Sequence, residues 1–548
     1  MSKPTDRSSS FNPATGLLQE SLTRRGLVKS AAGAAMLTPM LGLPASSVLA
    51  QEDGTVSLIT AANPASWDLT TSTWSTWEGI HFLYDRLLTF DENEDLQPGL
   101  ATAWEISEDG LEYTLTLRDS VTFHDGTPFN AEAVRFNIQR HLDQVDSAFY
   151  TSFEPVEEME IVDDATIVLR LREVRPNFIY EGLPQWGALQ LSPTAYEEGT
   201  AAFDANPVGT GPFRFESYEP GSEIRFVRNE EYWAGAPALE RVIVRIIPEP
   251  SVQLIELESG NVDISEIQPI DVAAMEAAGL TIESTIAPGA NFVSLNVSQA
   301  PTDELAVRQA IARAIDRDAI IETVLFGYAE KSRAGVNSAS AFYSEEVPMI
   351  EYNPEEAAQI LEDPGWVMGA NGIRERDGQP LTVHLASTEY TNWGLMNQII
   401  QEQLASIGIG AEISSAEWNA YLDAWRENQG GWNVTFHSQG SITGRTAVIQ
   451  ASWVPNDYWT ITQIDDATAP ELVAVAEELQ ALSDEFETTL DEDQRFEIAV
   501  AAQSLFQEHQ LTVWLWHGAS ITAIQPDVQG YTLSHAGRVV ELSEATVA

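Results

Sequence analysis

The chain contains no cysteine, which excludes disulfides, thiolate-held metal, thiol catalysis and a lipid anchor on cysteine. Lysine is nearly missing too: Lys3, Lys29 and Lys331 are the three present, and 28 basic residues face 83 acidic ones for a formal charge of −55. A surface so acidic repels phosphate backbones and anionic membranes, so no nucleic-acid partner is expected and anionic membrane surfaces are poor partners. The eight histidines include no i, i+4 pair, so no metal box emerges. There is no glycine-x-serine-x-glycine elbow and no phosphate loop around Gly209-Thr210-Gly211, and the carboxylates are too numerous for any pair to carry meaning; no enzyme and no cofactor are expected. The apolar stretch from Ala31 to Leu43 is broken by Thr38 and Pro39 and falls short of the ~20 residues of a membrane span.

That stretch has another reading. Thr23-Arg24-Arg25-Gly26-Leu27-Val28-Lys29 precedes it and Val48-Leu49-Ala50 follows it, an order that resembles a twin-arginine export signal cleaved after Ala50. The mature chain would then start near Gln51, be periplasmic or extracellular, and not insert into a membrane. Losing residues 1–50 removes five basic and two acidic side chains, leaving a charge of about −58, so the acidity belongs to the mature chain. At molar salt the Debye length is about 3 Å and such a surface no longer repels itself, which points to a salt-tolerant or halophilic source. An acidic trap for a cationic ligand is the alternative; carboxylates spread along the whole chain favour solvation.

With 548 residues, 44% of them hydrophobic, the chain can build at least two domains. Its most informative segment is Thr122 to Phe136, TFHDGTPFNAEAVRF. Before it, Leu111, Tyr113, Leu115 and Leu117 alternate as in a half-buried strand. Asp125 and Gly126 then supply turn chemistry, and Asn130 can cap a helix in which Val134, Ile138 and Leu142 share a face. Gln97 to Trp104 (QPGLATAW) and Asn206 to Phe213 (NPVGTGPF) are further defined strings, the second forced onto a tight path by its glycines and prolines. A strand is expected over Thr55–Ala61 and a helix over Glu78–Leu88. Asn353 should cap a helix with Pro354 at its first position, and Leu395–Ile407 should be a helix stopped by Gly408. A tryptophan-rich strand is expected from Leu511 to Ile521.

In this order the strings resemble the family 5 extracellular solute-binding proteins, the oligopeptide, dipeptide, glutathione and nickel receptors of ABC importers, over residues 55–532. The resemblance implies an α/β, two-lobed periplasmic-binding-protein fold (type II, cluster C) with an additional domain in the first lobe, and one helix from Val307 through Arg317. It implies lobe I at 51–85, 191–292 and 512–548, the additional domain at 86–190 and lobe II at 293–511, after the export signal at 1–50. It also implies a monomer that takes a peptide or peptide-like solute and delivers it to a permease with ATPase subunits. A receptor for an opine, oligosaccharide or metal chelate is the neighbouring reading; a secreted hydrolase, or a chaperone or signalling receptor without a permease, are readings of other classes.

Ligand contacts are expected where loops of the two lobes face one another. Trp67 and Trp186 rank first among the fifteen tryptophans as large flat surfaces. Peptide-binding relatives usually carry an aspartate for the ligand ammonium in the region matching Gly431 to Arg445, GWNVTFHSQGSITGR. Here Phe436, His437, Ser438 and Gln439 offer no carboxylate, and Asn433 stands where relatives often have aspartate. Arg445 could hold a carboxylate or phosphate. Tyr390 and Trp516 complete the candidates, each after or within a strand directed at the cleft.

Overall fold

Thr55–Thr60 (β1) is buried along its whole length, an inner strand paired on both edges whose run of apolar and small residues suits a sheet covered on both faces. The computed structural model describes residues 54–70, 77–91, 94–388, 393–418, 420–421, 431–438, 464, 469–533 and 540–548. Residues 51–548 form one compact unit.

After α1 (Trp77–Leu83) come the strands of a four-stranded antiparallel sheet, β2 (Ala101–Ile106), β3 (Glu112–Leu117), β4 (Val156–Asp163) and β5 (Thr166–Leu171), ordered β2-β3-β5-β4. Helix α2 (Ala131–Leu142) lies between β3 and β4 in the chain, and Asn130 caps it by accepting from the amide of Ala133 at 3.1 Å. This additional layer shares one continuous core with β1, with Tyr113, Val134 and Ile167 in the same apolar cluster as Val56 and Val244.

The helix expected to reach Leu88 stops at Leu83. The carbonyl of Leu83 accepts the amide of Gly211 at 2.9 Å, and those of Arg86 and Leu87 accept Leu100 and Ala101. Tertiary partners have thus taken the carbonyls that another helical turn would need.

The chain continues through β6 (Phe213–Glu219), β7 (Glu223–Arg228), β8 (Arg241–Ile246), α3 (Pro250–Glu258), β9 (Ile264–Ile267) and the 15-residue β10 (Thr281–Leu295). Helices α4 (Leu305–Ala314) and α5 (Arg317–Thr323) follow, where one helix was expected. The Asp316 side chain accepts from the amide of Ala319 at 2.9 Å, and an aspartate that caps a new start breaks the old helix. Next are β11 (Ala329–Lys331), α6 (Pro354–Glu362), β12 (Thr382–Thr388), α7 (Trp393–Ser406), β13 (Gly410–Ala416), β14 (Val434–Ser438), α8 (Val473–Thr488), α9 (Glu492–Glu508) and β15 (Thr512–Ile524).

The large sheet runs β13-β12-β14-β10-β15-β9-β1-β8-β7-β6, with β11 also on β15. Its two halves are joined by β10 and β15. At one end Thr281 faces Ile524, and Ile524 also faces Ile264 of β9; at the other Phe292 faces Trp514, and His437 of β14. Ile521 and Ala523 pack with Leu257 and Met275, whereas Val513, Leu515 and Trp516 pack with Val307 and Val383. The two ends of β15 thus belong to different apolar clusters, the change falling between Trp516 and Ile521. Pairing slips between Ile286 and Ala290, a local irregularity at the crossing.

Candidate functional site

Where β10, β14 and β15 run side by side on the second-lobe half, aromatic side chains gather around His437. Phe292 stacks on its ring at 5.6 Å with planes 27° apart, and Trp393, at the start of α7, meets it edge-on at 5.5 Å. Trp393 also touches Phe436, which in turn meets Trp516 at 5.7 Å. Trp418 stacks on Tyr421 at 6.0 Å. Period-two alternation explains part of this: Phe436 and His437 leave opposite faces of β14, so one strand supplies both sides of the cluster.

The cluster is polar at one point and uncharged there. The Tyr421 hydroxyl lies 2.9 Å from Nε2 of His437 and 2.5 Å from Oγ1 of Thr435. Burial holds the His437 ring well below its ordinary value, at about 3, and pushes the Tyr421 hydroxyl up. Both groups are neutral at physiological pH. Next in the strand, Ser438 is exposed at the end of β14.

The other sequence candidates fall elsewhere. Trp67 is 2% exposed, edge-on to Phe215 and Phe226 at 6.0 and 6.1 Å, and its carbonyl accepts from the Tyr84 hydroxyl at 3.2 Å. It sits in the first-lobe core. Trp186 is buried in the same core, with the Arg86 guanidinium 5.6 Å above its ring. Phe436, His437 and Trp516 are brought together as described. Tyr390, Gln439 and Arg445 lie outside the described residues.

Sequence reasoning passed over Phe292, Trp393, Trp418 and Tyr421. The i, i+3 pair Trp418/Tyr421 was the available signal, since such a pair shares a helical face.

Asn433, standing where an aspartate was looked for, is fully engaged. Its Oδ1 accepts the amide of His384 at 2.9 Å, and its Nδ2 donates to the carbonyl of Ala300 at 3.0 Å and to Oγ1 of Thr302 at 3.1 Å. A carboxylate could not donate those last two bonds, so the amide has a structural reason to be there.

Among the described residues serine hydroxyls meet histidine rings at Ser147 and His141 and at Ser414 and His384, and the pair most distant in the chain is Ser332 Oγ to His517 Nε2 at 3.0 Å. Both residues are enclosed, at 1% and 0% exposure, and Nδ1 of His517 faces the carbonyl of Gly289 at 3.1 Å rather than a carboxylate. A substrate cannot reach such a serine, and the third member of a triad is missing from this contact. Among the described residues no group of three or more metal-ligating side chains could hold an ion, and no helix is long and apolar enough to cross a membrane.

The sequence pattern described as bacterial extracellular solute-binding proteins, family 5, middle, matches residues 95–459. Heme-binding protein A of Haemophilus influenzae is 31% identical over 372 residues, 63% of this chain and 67% of that one. The dipeptide-binding protein of Escherichia coli is 26% identical over 490 residues, 83% of this chain and 87% of its own. In three dimensions the chain resembles NikA from Brucella suis, solved with Fe(III)-EDTA, with a TM-score of 0.81, 23% identity, and 90% and 100% of the two chains covered.

Proposed function

The chain belongs to family 5 of the bacterial extracellular solute-binding proteins, and from that premise we propose that it is the substrate-binding protein of an ABC importer. It captures a peptide or peptide-like small solute between its lobes and hands it to a permease driven by separate ATPase subunits. The observation that carries the reading is the pair β10 and β15, each shared by the cores of both lobes. Two strands that bend together let the lobes close while each core stays packed. Closure is a population shift, because a ligand touched from both sides stabilises only the closed form.

Ser438, at the exposed end of β14, and Gln439, Tyr390 and Arg445 are proposed as polar contacts. Phe436, His437 and Trp516 are proposed as the aromatic wall of the site, and Trp67 and Trp186 as aromatic surfaces of the first lobe. Export by the twin-arginine route, release without a lipid anchor, a monomeric state and a saline habitat complete the proposal. They rest on residues 23–50, the missing cysteines and the acidic composition.

A second reading, a flat metal chelate as ligand, is favoured by the aromatic wall around His437, which among the described residues offers stacking area and carries no carboxylate of its own for an ammonium group.

A thermal-shift screen in high salt, with dipeptides, longer peptides, opines and iron or nickel chelates, tests the proposal, together with mass spectrometry of whatever copurifies. Stabilisation by peptides supports the first reading and by chelates alone the second. If no solute stabilises the protein and a deletion strain imports every candidate normally, the transport reading fails.

A further inference from the structure

Apart from β10 and β15, the two lobes meet at a second place. Arg175-Pro176-Asn177, which follows the four-stranded sheet of the additional domain, lies against the α8–α9 corner of the second lobe. Arg495 of α9 is fully buried, with its guanidinium 4.3 Å over the ring of Phe486 and 3.2 Å from Glu492. It donates to Oδ1 of Asn177, which is 318 residues away in the chain. Arg175 reaches Glu487 of α8 at 3.4 Å while holding Glu173 of its own segment at 2.8 Å. The Arg175 carbonyl is fixed from behind by the Tyr113 hydroxyl at 3.1 Å. Below these bonds Leu490, in the corner between α8 and α9, presses on Gly110, where a Cβ would come within 2.8 Å of it.

The chemistry of this contact differs from that of the cores beside it. Phe178 belongs to the first-lobe core and Phe486 to a separate one in the second lobe, and between them stand two arginines, an asparagine, carboxylates and one leucine. Polar groups of this kind can be rehydrated when they part, whereas a continuous apolar core cannot be opened at small cost. Arg175, at 40% side-chain exposure, and Glu487, at 22%, stand at the wet side of the contact, and the Asn177–Arg495 bond is its dry centre.

We infer that this contact is a latch: Arg175 and Asn177 of the additional domain engage Glu487 and Arg495 as the lobes close, and hold the closed state by protein contacts alone. The latch gives the additional domain a part in closure, and ligand affinity then depends on residues that touch no ligand. The inference uses the two-lobed architecture but requires no particular solute, so a failed ligand screen leaves it standing.

The missing cysteines make the test simple. Val162, in β4 of the additional domain, and Val367, in the second lobe, are each 56% exposed, and a Val162→Cys, Val367→Cys protein carries a spin or dye pair at those sites alone. Pulsed dipolar spectroscopy or single-molecule energy transfer on the ligand-free protein then reads open and closed populations. Asn177→Ala should lower the closed-to-open ratio about tenfold, the loss of one charge-assisted bond, and Arg175→Ala should lower it less. Asn177→Asp, which keeps an acceptor for Arg495, should retain the closed population. Thermal midpoints close to that of the parent show that the folded state is intact, and Arg175→Ala, on a half-exposed residue, serves if Asn177→Ala does not fold. Unchanged populations in Asn177→Ala and Arg175→Ala, or in Arg175→Ala alone where the other cannot be made, overturn the latch and leave the contact a fixed part of the fold.

Discussion

Nε2 of His124 donates to the carbonyl oxygen of Gly211 at 2.9 Å, and in doing so joins the two most distinctive strings of the sequence. The amide of His124 also donates to the carbonyl of Gly209 at 2.8 Å. Both glycines are pressed against α1: a Cβ at Gly209 would lie 2.1 Å from the carbonyl oxygen of Leu83, and one at Gly211 2.5 Å from that of Phe82. His124→Ala is expected to destabilise the protein by ~2 kcal/mol through the lost bond and the orphaned carbonyl. Gly209→Ala should cost more than about 4 kcal/mol or prevent folding, since backbone has to move. Denaturant unfolding at constant high salt measures both; a Gly209→Ala protein as stable as the parent would show that the close approach is wrong.

Acid should unfold the protein in a defined direction. Burial holds His124 at about 4 and His141 and His437 at about 3, against an ordinary 6.5. Between those values the unfolded chain binds more protons than the folded one, so stability is complete above about pH 6.5 and is lost as pH falls toward 4 and below. The unfolding midpoint should drop across that window, and His124→Gln, already destabilised, should show a shallower drop.

Salt should act in the opposite sense to its usual effect on ion pairs. With a net charge of −55, screening of self-repulsion outweighs the loss of surface pairs such as Arg170 with Glu112, Glu158 and Glu160, each of which contributes about 1 kcal/mol or less. The melting temperature is expected to rise steadily from dilute buffer to molar salt. A flat or falling curve would remove the argument for a saline habitat.

Trp67 and Tyr421 should separate folding from binding. Trp67→Ala opens a cavity in the first-lobe core and is expected to cost ~3–5 kcal/mol, whatever it does to affinity. Tyr421→Phe keeps the ring and removes the hydroxyl between Thr435 and His437. Its predicted effect is a modest stability loss of about 1 kcal/mol with a clear loss of ligand affinity. Calorimetric titration with whichever solute the screen returns decides this: normal affinity in Tyr421→Phe would move the site away from the aromatic wall.

Closure should also respond to pH through Glu181. Partial burial and the neighbouring charge of Glu487 push its carboxyl up to about 8, against the pull of Arg495 on α9 and Arg175 on its own segment. In an open form that carboxyl returns toward its ordinary range, so closing takes up a proton. The closed state is then favoured at low pH and loses that advantage as pH rises through about 8. Glu181→Gln should flatten the dependence, read as closed population against pH with the same labelled pair.

Much of the local structure was legible because it is local. Asn130 and Asn353 cap the helices they were expected to cap, each through its own Oδ1, and Asp125 closes its turn by accepting from Thr127 at 2.9 Å, with Gly126 at a φ of 82° beside it. One error arose where distant chain intervened, when the carbonyl of Leu83 went to Gly211 instead of to another turn of α1; the other was local, where Asp316 caps a new helix three residues before Ala319.

The sequence by itself determined the family, the order of elements, the acidic surface and the exclusion of thiol chemistry, since each is a property of residue type and short spacing. Tertiary structure alone decided that Trp67 is core, that Phe292, Trp393 and Tyr421 enclose His437, and that Asn177 meets Arg495. Periodicity says which face of a strand or helix is apolar, but not what will cover it. That is settled only when chain closure over hundreds of residues brings one face against another.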